Sequence, residues 1–179
     1  MDIRVEKTEK AIRNAFIELR SQKALEKITV KELCQLAYIN KSTFYSHYED
    51  IYALSDALEI ETVDSILSNI SQSHEYYFEN PDVLTKELCL AFISHTSLIN
   101  ILFSGKEKSF LANRLETAIK ELIFQKYPEY QDNTEKNILL SYCIQGAYYA
   151  YVNNQSADAD TVIQVIENIA KTLKPLYLP

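Results

Sequence analysis

Apolar residues recur along this chain at the three-and-four spacing of a helix rather than in the alternation of a half-buried strand. Ile12, Ala15, Phe16 and Leu19 form one such stripe, which predicts a first helix over about Val5–Lys23. The next helix has an explicit start. Thr29 followed three residues later by Glu32 is a capping box, in which the Thr hydroxyl accepts from the Glu32 amide and the Glu carboxylate reaches back to the Thr amide. Val30, Leu33 and Ala37 then face inward, and the helix lasts to about Ala37, because Asn40 is the next natural cap and opens a segment Lys41–Tyr48. Two helices joined by about three residues are the pattern of a helix-turn-helix.

A longer helix is expected from Asp50, carrying Leu54, Leu58, Val63, Ile66, Leu67 and Ile70, until the polar stretch SQSHEYYFENPD at 71–82 ends it. Leu84, Leu88, Ala91, Phe92 and His95 mark another, with a break near Ser104-Gly105. Leu111, Leu115, Ala118, Ile119 and Leu122 mark the next, closed by YPEYQDNT, and two final helices follow over Glu135 to about Asn153 and Asp160 to about Lys174. No internal repeat or low-complexity segment interrupts the pattern. With two glycines and four prolines there are few places for a sheet to reverse, so the expected fold is all-α. A chain of 179 residues can bury a core as one large domain or two small ones.

Composition narrows the chemistry. Charged residues at 24% and hydrophobic ones at 47% fit an ordinary globular protein. No apolar run approaches the ~18 residues of a spanning helix, and MDIRVEKTEK lacks the apolar core of a signal peptide, so a cytoplasmic protein without a membrane partner is expected. Cys34, Cys89 and Cys143 are far apart and show no ligand spacing, which reads as buried thiols and no metal site. His74 sits in a polar linker, and His95 on an apolar face suits a hydrogen-bonded core residue. There is no G-x-S-x-G, no P-loop and no glycine-rich phosphate cradle, so neither an enzyme nor a cofactor is expected. The net charge of −7 argues against a generic nucleic-acid binder, yet it is uneven: residues 1–48 hold nine basic and six acidic residues, a balance of +3, which leaves −10 for the rest.

That basic segment coincides with the helix-turn-helix pattern. The second helix of such a motif lies in the major groove, with residues near its N-terminus at base edges and flanking hydroxyls and amides on phosphates. The segment opened by Asn40 has the inventory for this. Lys41 can donate to guanine or a phosphate, Ser42 and Thr43 are short donors beside a helix N-terminus, and Tyr45, His47 and Tyr48 add ring donors. Phe44 should point inward, against Leu33, Ala37 and the Phe16 stripe.

Residues 28–54, ITVKELCQLAYINKSTFYSHYEDIYAL, resemble the DNA-binding segment of the tetracycline-repressor (TetR) family of bacterial transcriptional regulators, with ITVKEL, STFYSHY and the following Leu in the family's order and spacing. The resemblance extends back through the first helix and covers roughly the first third of the chain. It implies an all-α homodimer: a three-helix DNA-binding domain, then a divergent helical domain that binds a small effector and dimerises through its last two helices. It also implies that Thr29 abuts the DNA backbone, that Lys31 touches a base or phosphate, and that Lys41, Ser42, Thr43, Tyr45 and His47 lie at contact positions of the recognition helix. The chain departs from the family in three places. Tyr38 stands where a small residue is usual in the turn, which demands a positive φ of a bulky side chain. Glu49-Asp50-Ile51 stands where a phosphate-gripping lysine is common, and Tyr48 replaces the usual Phe.

The resulting expectation is a ligand-responsive DNA-binding regulator, a repressor on a palindromic double-stranded operator, with residues 1–48 as the reading head and 49–179 as the ligand-binding and dimerisation domain. The alternative is a helical interaction protein of the same fold that has lost operator or effector binding. A small enzyme is a third class, for which no nucleophile–base motif is present. The effector is unidentified; a neutral or cationic, partly aromatic compound suits an acidic domain. Its site is expected between the helix after Asp50 and those of His95, Leu115 and Tyr142, with Asn100, Gln145 and Tyr149 as companions. The tyrosine stripe Tyr142, Tyr148, Tyr149 and Tyr151 reads first as core and interface packing and second as pocket lining. The last two helices carry apolar residues on more than one face: Ile138, Tyr142, Gln145, Tyr149 and Val152 on one, Leu139, Cys143, Gly146 and Ala150 on another, then Val162, Ile166, Ile169 and Leu173. That duplication suits a four-helix dimer interface.

Overall fold

The computed structural model describes residues 3–68, 79–103 and 108–177, and every regular element among them is a helix. In chain order these are α1 (Ile3–Gln22), α2 (Val30–Leu36), α3 (Lys41–Tyr45), α4 (Ile51–Leu67), α5 (Pro81–Ser94), α6 (Thr96–Leu102), α7 (Lys108–Lys126), α8 (Thr134–Asn153) and α9 (Ala159–Tyr177), with single 3-10 turns at Leu25–Lys27 and Pro128–Tyr130. The all-α expectation holds. Two compact units emerge, one of residues 1–62 and 97–108, the other of 63–96 and 109–179.

In the first unit α1 packs on α2 and α2 on α3. Ile12 and Phe16 of α1, Leu33 of α2, Phe44 of α3 and Leu54 of α4 are fully buried, as the helical stripes require. Burying side chains of this size contributes about 1.5–3 kcal/mol each. Phe44 thus pins a helix of only five residues that would not persist alone. Two buried polar side chains are held by bonds within this interior: Arg20 Nη2 donates to the Leu102 carbonyl at 3.2 Å, and the Ser55 hydroxyl donates to Glu59 Oε1 at 3.0 Å.

The capping box forms as read. Thr29 Oγ1 accepts from the Glu32 amide and Glu32 Oε2 from the Thr29 amide, each at 3.3 Å. Lys23 holds the same carboxylate at 2.8 Å and, with the Thr29 bonds, brings the Glu32 pKa below the ordinary glutamate range. At its other end α2 closes in a Schellman motif: Ile39 N–H donates to the Cys34 carbonyl at 3.0 Å and Tyr38 N–H to that of Gln35 at 3.4 Å. The residue between must be left-handed, and Tyr38 is, with φ 54°. A non-glycine residue there costs about 1–2 kcal/mol.

Two boundaries differ from expectation. α3 ends at Tyr45 rather than running to Tyr48. The helix begun by Leu84 breaks at His95, earlier than the Ser104-Gly105 position, which lies outside the described residues, as do His74 and most of the 71–82 stretch. The reason is local: Ser94 and His95 direct side-chain donors to the Ala91 carbonyl, both at 2.7 Å, and Thr96 directs one to Phe92 at 3.1 Å. Such bonds compete with helix continuation.

In the second unit α9 packs along α5 and α8. Cys89, Ile163 and Ile166 form one buried cluster there, with Ile93, Ala147, Ala150, Tyr151 and Val162 packed around them. Phe92 meets Tyr148 and Tyr151 edge-on, with centroids 5.6 and 5.7 Å away.

Candidate nucleic-acid interface and effector cavity

The segment from α2 to α3 is built from caps. Asn40 Oδ1 accepts three bonds at the start of α3: from the Thr43 amide at 2.8 Å, the Ser42 hydroxyl at 2.7 Å and the Thr43 hydroxyl at 2.8 Å. One side chain therefore sets the direction of α3 and gathers its first-turn hydroxyls. Lys41 and Ser42 are exposed, Thr43 is half-buried, and Tyr45 is 56% exposed beside the buried Phe44. Lys31 of α2 is also exposed, and so is Thr29, whose hydroxyl donates to Glu32 at 2.9 Å within the capping box.

The remaining two expected contact residues lie past the end of α3. His47 is half-buried, with its ring tilted at 6.3 Å against Tyr48. Tyr48 turns toward α1, where its hydroxyl donates to Glu9 Oε1 at 3.5 Å. Arg13, next to Glu9, also holds Glu61 of α4. Burial opposes the charge on that guanidinium, but its bonds to Glu61 and Glu9 prevail and raise its pKa. This Glu9–Arg13–Glu61–Tyr48 cluster had no local signature in the sequence. Nearby, the Asp50 carboxylate accepts from the Ala53 amide at 2.7 Å, so an anion already occupies the start of α4.

The second unit contains a cavity of about 310 Å³. Its walls come from α5, α7, α8 and α9, with Ile66 of α4, and none of the lining side chains is charged. Leu88, Phe92, Ile119 and Ile166 are typical, and Thr85, Tyr127, Tyr130 and Tyr151 are also among the lining residues, the Thr85 hydroxyl donating to the Pro81 carbonyl at 2.7 Å. Tyr127 and Tyr130 stack with centroids 5.0 Å apart, from the YPEYQDNT segment that the sequence showed only as a helix closure. Cys89 and Cys143 also line it, and burial pushes the Cys89 thiol up to about 11.

Of the expected ligand residues the cavity brings together Leu115 and Tyr142. The other four are elsewhere. His95 closes α5: its Nδ1 donates to the Ala91 carbonyl at 2.7 Å, and its Nε2 lies 2.9 Å from the Ser65 hydroxyl. Asn100 lies exposed on α6 in the first unit. Gln145 donates to Glu116 of α7, which also accepts from Ser141 at 2.6 Å and pairs with Lys120 at 2.8 Å. Tyr149 is exposed and meets Tyr148 edge-on.

Among the described residues no group of three His, Cys, Asp or Glu side chains could hold a metal ion, and no helix is long and apolar enough to cross a membrane. The chain is similar to YvdT of Bacillus subtilis, an uncharacterized HTH-type transcriptional regulator: 24% of 164 aligned residues are identical, covering 89% of this chain and 79% of that one. No family model and no solved structure matches.

Proposed function

We propose that this chain is a ligand-responsive transcriptional regulator of the TetR type, a cytoplasmic homodimer that represses by binding a palindromic double-stranded operator. The observation that carries the reading is the division of labour in α3: Phe44 is fully buried while Lys41 and Tyr45 face outward. That is the arrangement a groove-reading helix needs, with its core residue fixing the angle at which its exposed residues approach base edges. The positive balance of residues 1–48 supports it, as does the similarity to a helix-turn-helix regulator across most of the chain. DNA binding is assigned to residues 1–48, through Thr29, Lys31, Asn40, Lys41, Ser42, Thr43, Tyr45, His47 and Tyr48, and control and dimerisation to 49–179. Within that set Asn40 acts as the cap that places the others, and Tyr48 as a brace toward α1.

The cavity is the effector site of this reading. Its uncharged walls select a neutral, largely apolar, partly aromatic compound, since a buried charge without a partner is costly. Such a ligand can act only by preferring one state of the protein, and a factor of ~100 in preference is worth about 2.7 kcal/mol. The alternative, a helical interaction protein that no longer binds an operator, draws support from Glu49 and Asp50 beside the reading head. Gel shift against the DNA flanking the chain's own gene separates the two. A sequence-specific shift at nanomolar protein is expected, and its absence at low salt overturns the regulator reading.

A further inference from the structure

Tyr38 is the most unusual residue of the reading head. It occupies the left-handed position of the Schellman motif that ends α2, with φ 54°, a place where glycine relieves the strain. It is also 95% exposed, so its ring contributes almost nothing to the core in return. A strained conformation held by a side chain the fold does not use points to a role outside the molecule. The position of the turn says where: Tyr38 is two residues before Asn40, whose side chain opens α3.

The charge pattern says why a phenol would serve there. Past α3 the chain presents Glu49 and Asp50, and the Asp50 carboxylate already caps α4, so that flank repels phosphate instead of gripping it. Backbone contact is then left to the other flank, where an exposed neutral donor can add to the lysines Lys31 and Lys41. We infer that Tyr38 is an additional DNA-contacting residue, its ring packed against deoxyribose and its hydroxyl donating to a phosphate oxygen at the edge of the half-site. The inference rests on the DNA-binding reading above.

The test uses the full chain and a labelled duplex of the DNA flanking its own gene, titrated by fluorescence anisotropy at several salt concentrations, with thermal melts alongside. Tyr38→Gly should raise the melting temperature by removing the strain, and at the same time weaken binding about threefold to tenfold. The slope of log affinity against log salt should stay that of the parent, because a neutral donor releases no counterion, whereas Lys41→Ala at a phosphate flattens it by ~0.9. Tyr38→Phe should keep the parent's melting temperature and lose the hydroxyl's share of affinity. A Tyr38→Gly protein that melts higher and binds as tightly as the parent overturns the inference while leaving the regulator reading intact. A parent that binds no site specifically overturns both.

Discussion

Arg13 of α1 holds both carboxylate oxygens of Glu61 on α4, and one of the same guanidinium nitrogens lies 3.0 Å from Glu9. Since Glu9 also accepts from Tyr48, one cation ties α1, α4 and the residue past α3 into a single set. Both partners of the main pair are substantially exposed, Arg13 by 31% and Glu61 by 44%, so water and salt weaken it. Arg13→Ala leaves two carboxylates facing each other and should cost about 1 kcal/mol, and Glu61→Gln about 0.5 kcal/mol. Urea denaturation measures both, and the gap should shrink in 0.5 M salt. A penalty indifferent to salt would mean that packing of the Arg13 stem, not its charge, matters.

Asn40→Ala removes the single acceptor for three donors at the start of α3. A lost N-cap costs about 1–2 kcal/mol, and a helix this short has little else to define its first turn. This variant should therefore lose both stability and DNA affinity. Tyr45→Ala, at an exposed position, should lose affinity by about 1–3 kcal/mol if it meets a base edge while its urea midpoint stays put. Equal behaviour of the two would contradict the separation of scaffold from contact residue.

Features set by neighbouring residues were legible in the sequence. The Thr29–Glu32 box and the Asn40 cap follow from residues within four positions of one another, and the positive φ of Tyr38 was expected from the resemblance, which puts a small residue at that turn. Pairings across the chain were not. Arg13 and Glu61 are 48 residues apart, and nothing in either neighbourhood names the other. The break at His95 arises from three consecutive side chains bonding backward, a competition that helical periodicity does not register. The cavity depends on where α5, α7, α8 and α9 leave space, so periodicity could place Leu115 and Tyr142 on its walls but not foresee that Gln145 would turn to Glu116 instead.

Glu116 makes acid sensitivity predictable. Burial alone would raise its pKa, but hydrogen bonds from Lys120, Ser141 and Gln145 and the Lys120 charge lower it on balance. A carboxylate with a lowered folded pKa contributes stability above the ordinary glutamate range and loses it as pH falls through the folded value. Glu116→Gln should thus be about 1–2 kcal/mol less stable than the parent at pH 7, with the difference closing as pH falls below the ordinary glutamate range. Denaturation curves between pH 7 and pH 3 test this; a constant difference would mean that the charge is not what the three donors recognise.

The cavity can be probed through its own cysteines. Cys89 is buried with a raised pKa and should resist alkylation at pH 8, whereas Cys143, half-buried on the same walls, should react first. A neutral apolar dye that enters the cavity should slow modification of Cys143, and Leu115→Phe, by taking up part of the volume, should reduce dye binding about tenfold without unfolding the protein. Undiminished dye binding in that variant would place the dye elsewhere.

The outer faces of α8 and α9 give the last prediction. Ile138 on α8 and Val165 on α9 are 65% and 53% exposed, and Tyr142 and Ile169, which also line the cavity, are 69% and 52% exposed, together an apolar surface of the kind that two-fold packing buries. Gly146 on α8 is exposed too, and a Cβ added there would meet nothing within 4 Å, which leaves room for a close approach. If a second copy covers this face, burial of these half-exposed apolar side chains offsets the cost of association, and a dimer is expected at micromolar protein. Ile138→Glu with Val165→Glu should convert the dimer to a monomer with unchanged helical circular dichroism, because neither side chain supports the core of its own subunit. Such a monomer should bind a half-site weakly and lose its preference for two half-sites about one DNA turn, ~34 Å, apart. Sedimentation of the parent as a monomer at micromolar concentration would remove the two-fold axis and, with it, the reason to expect a palindromic operator.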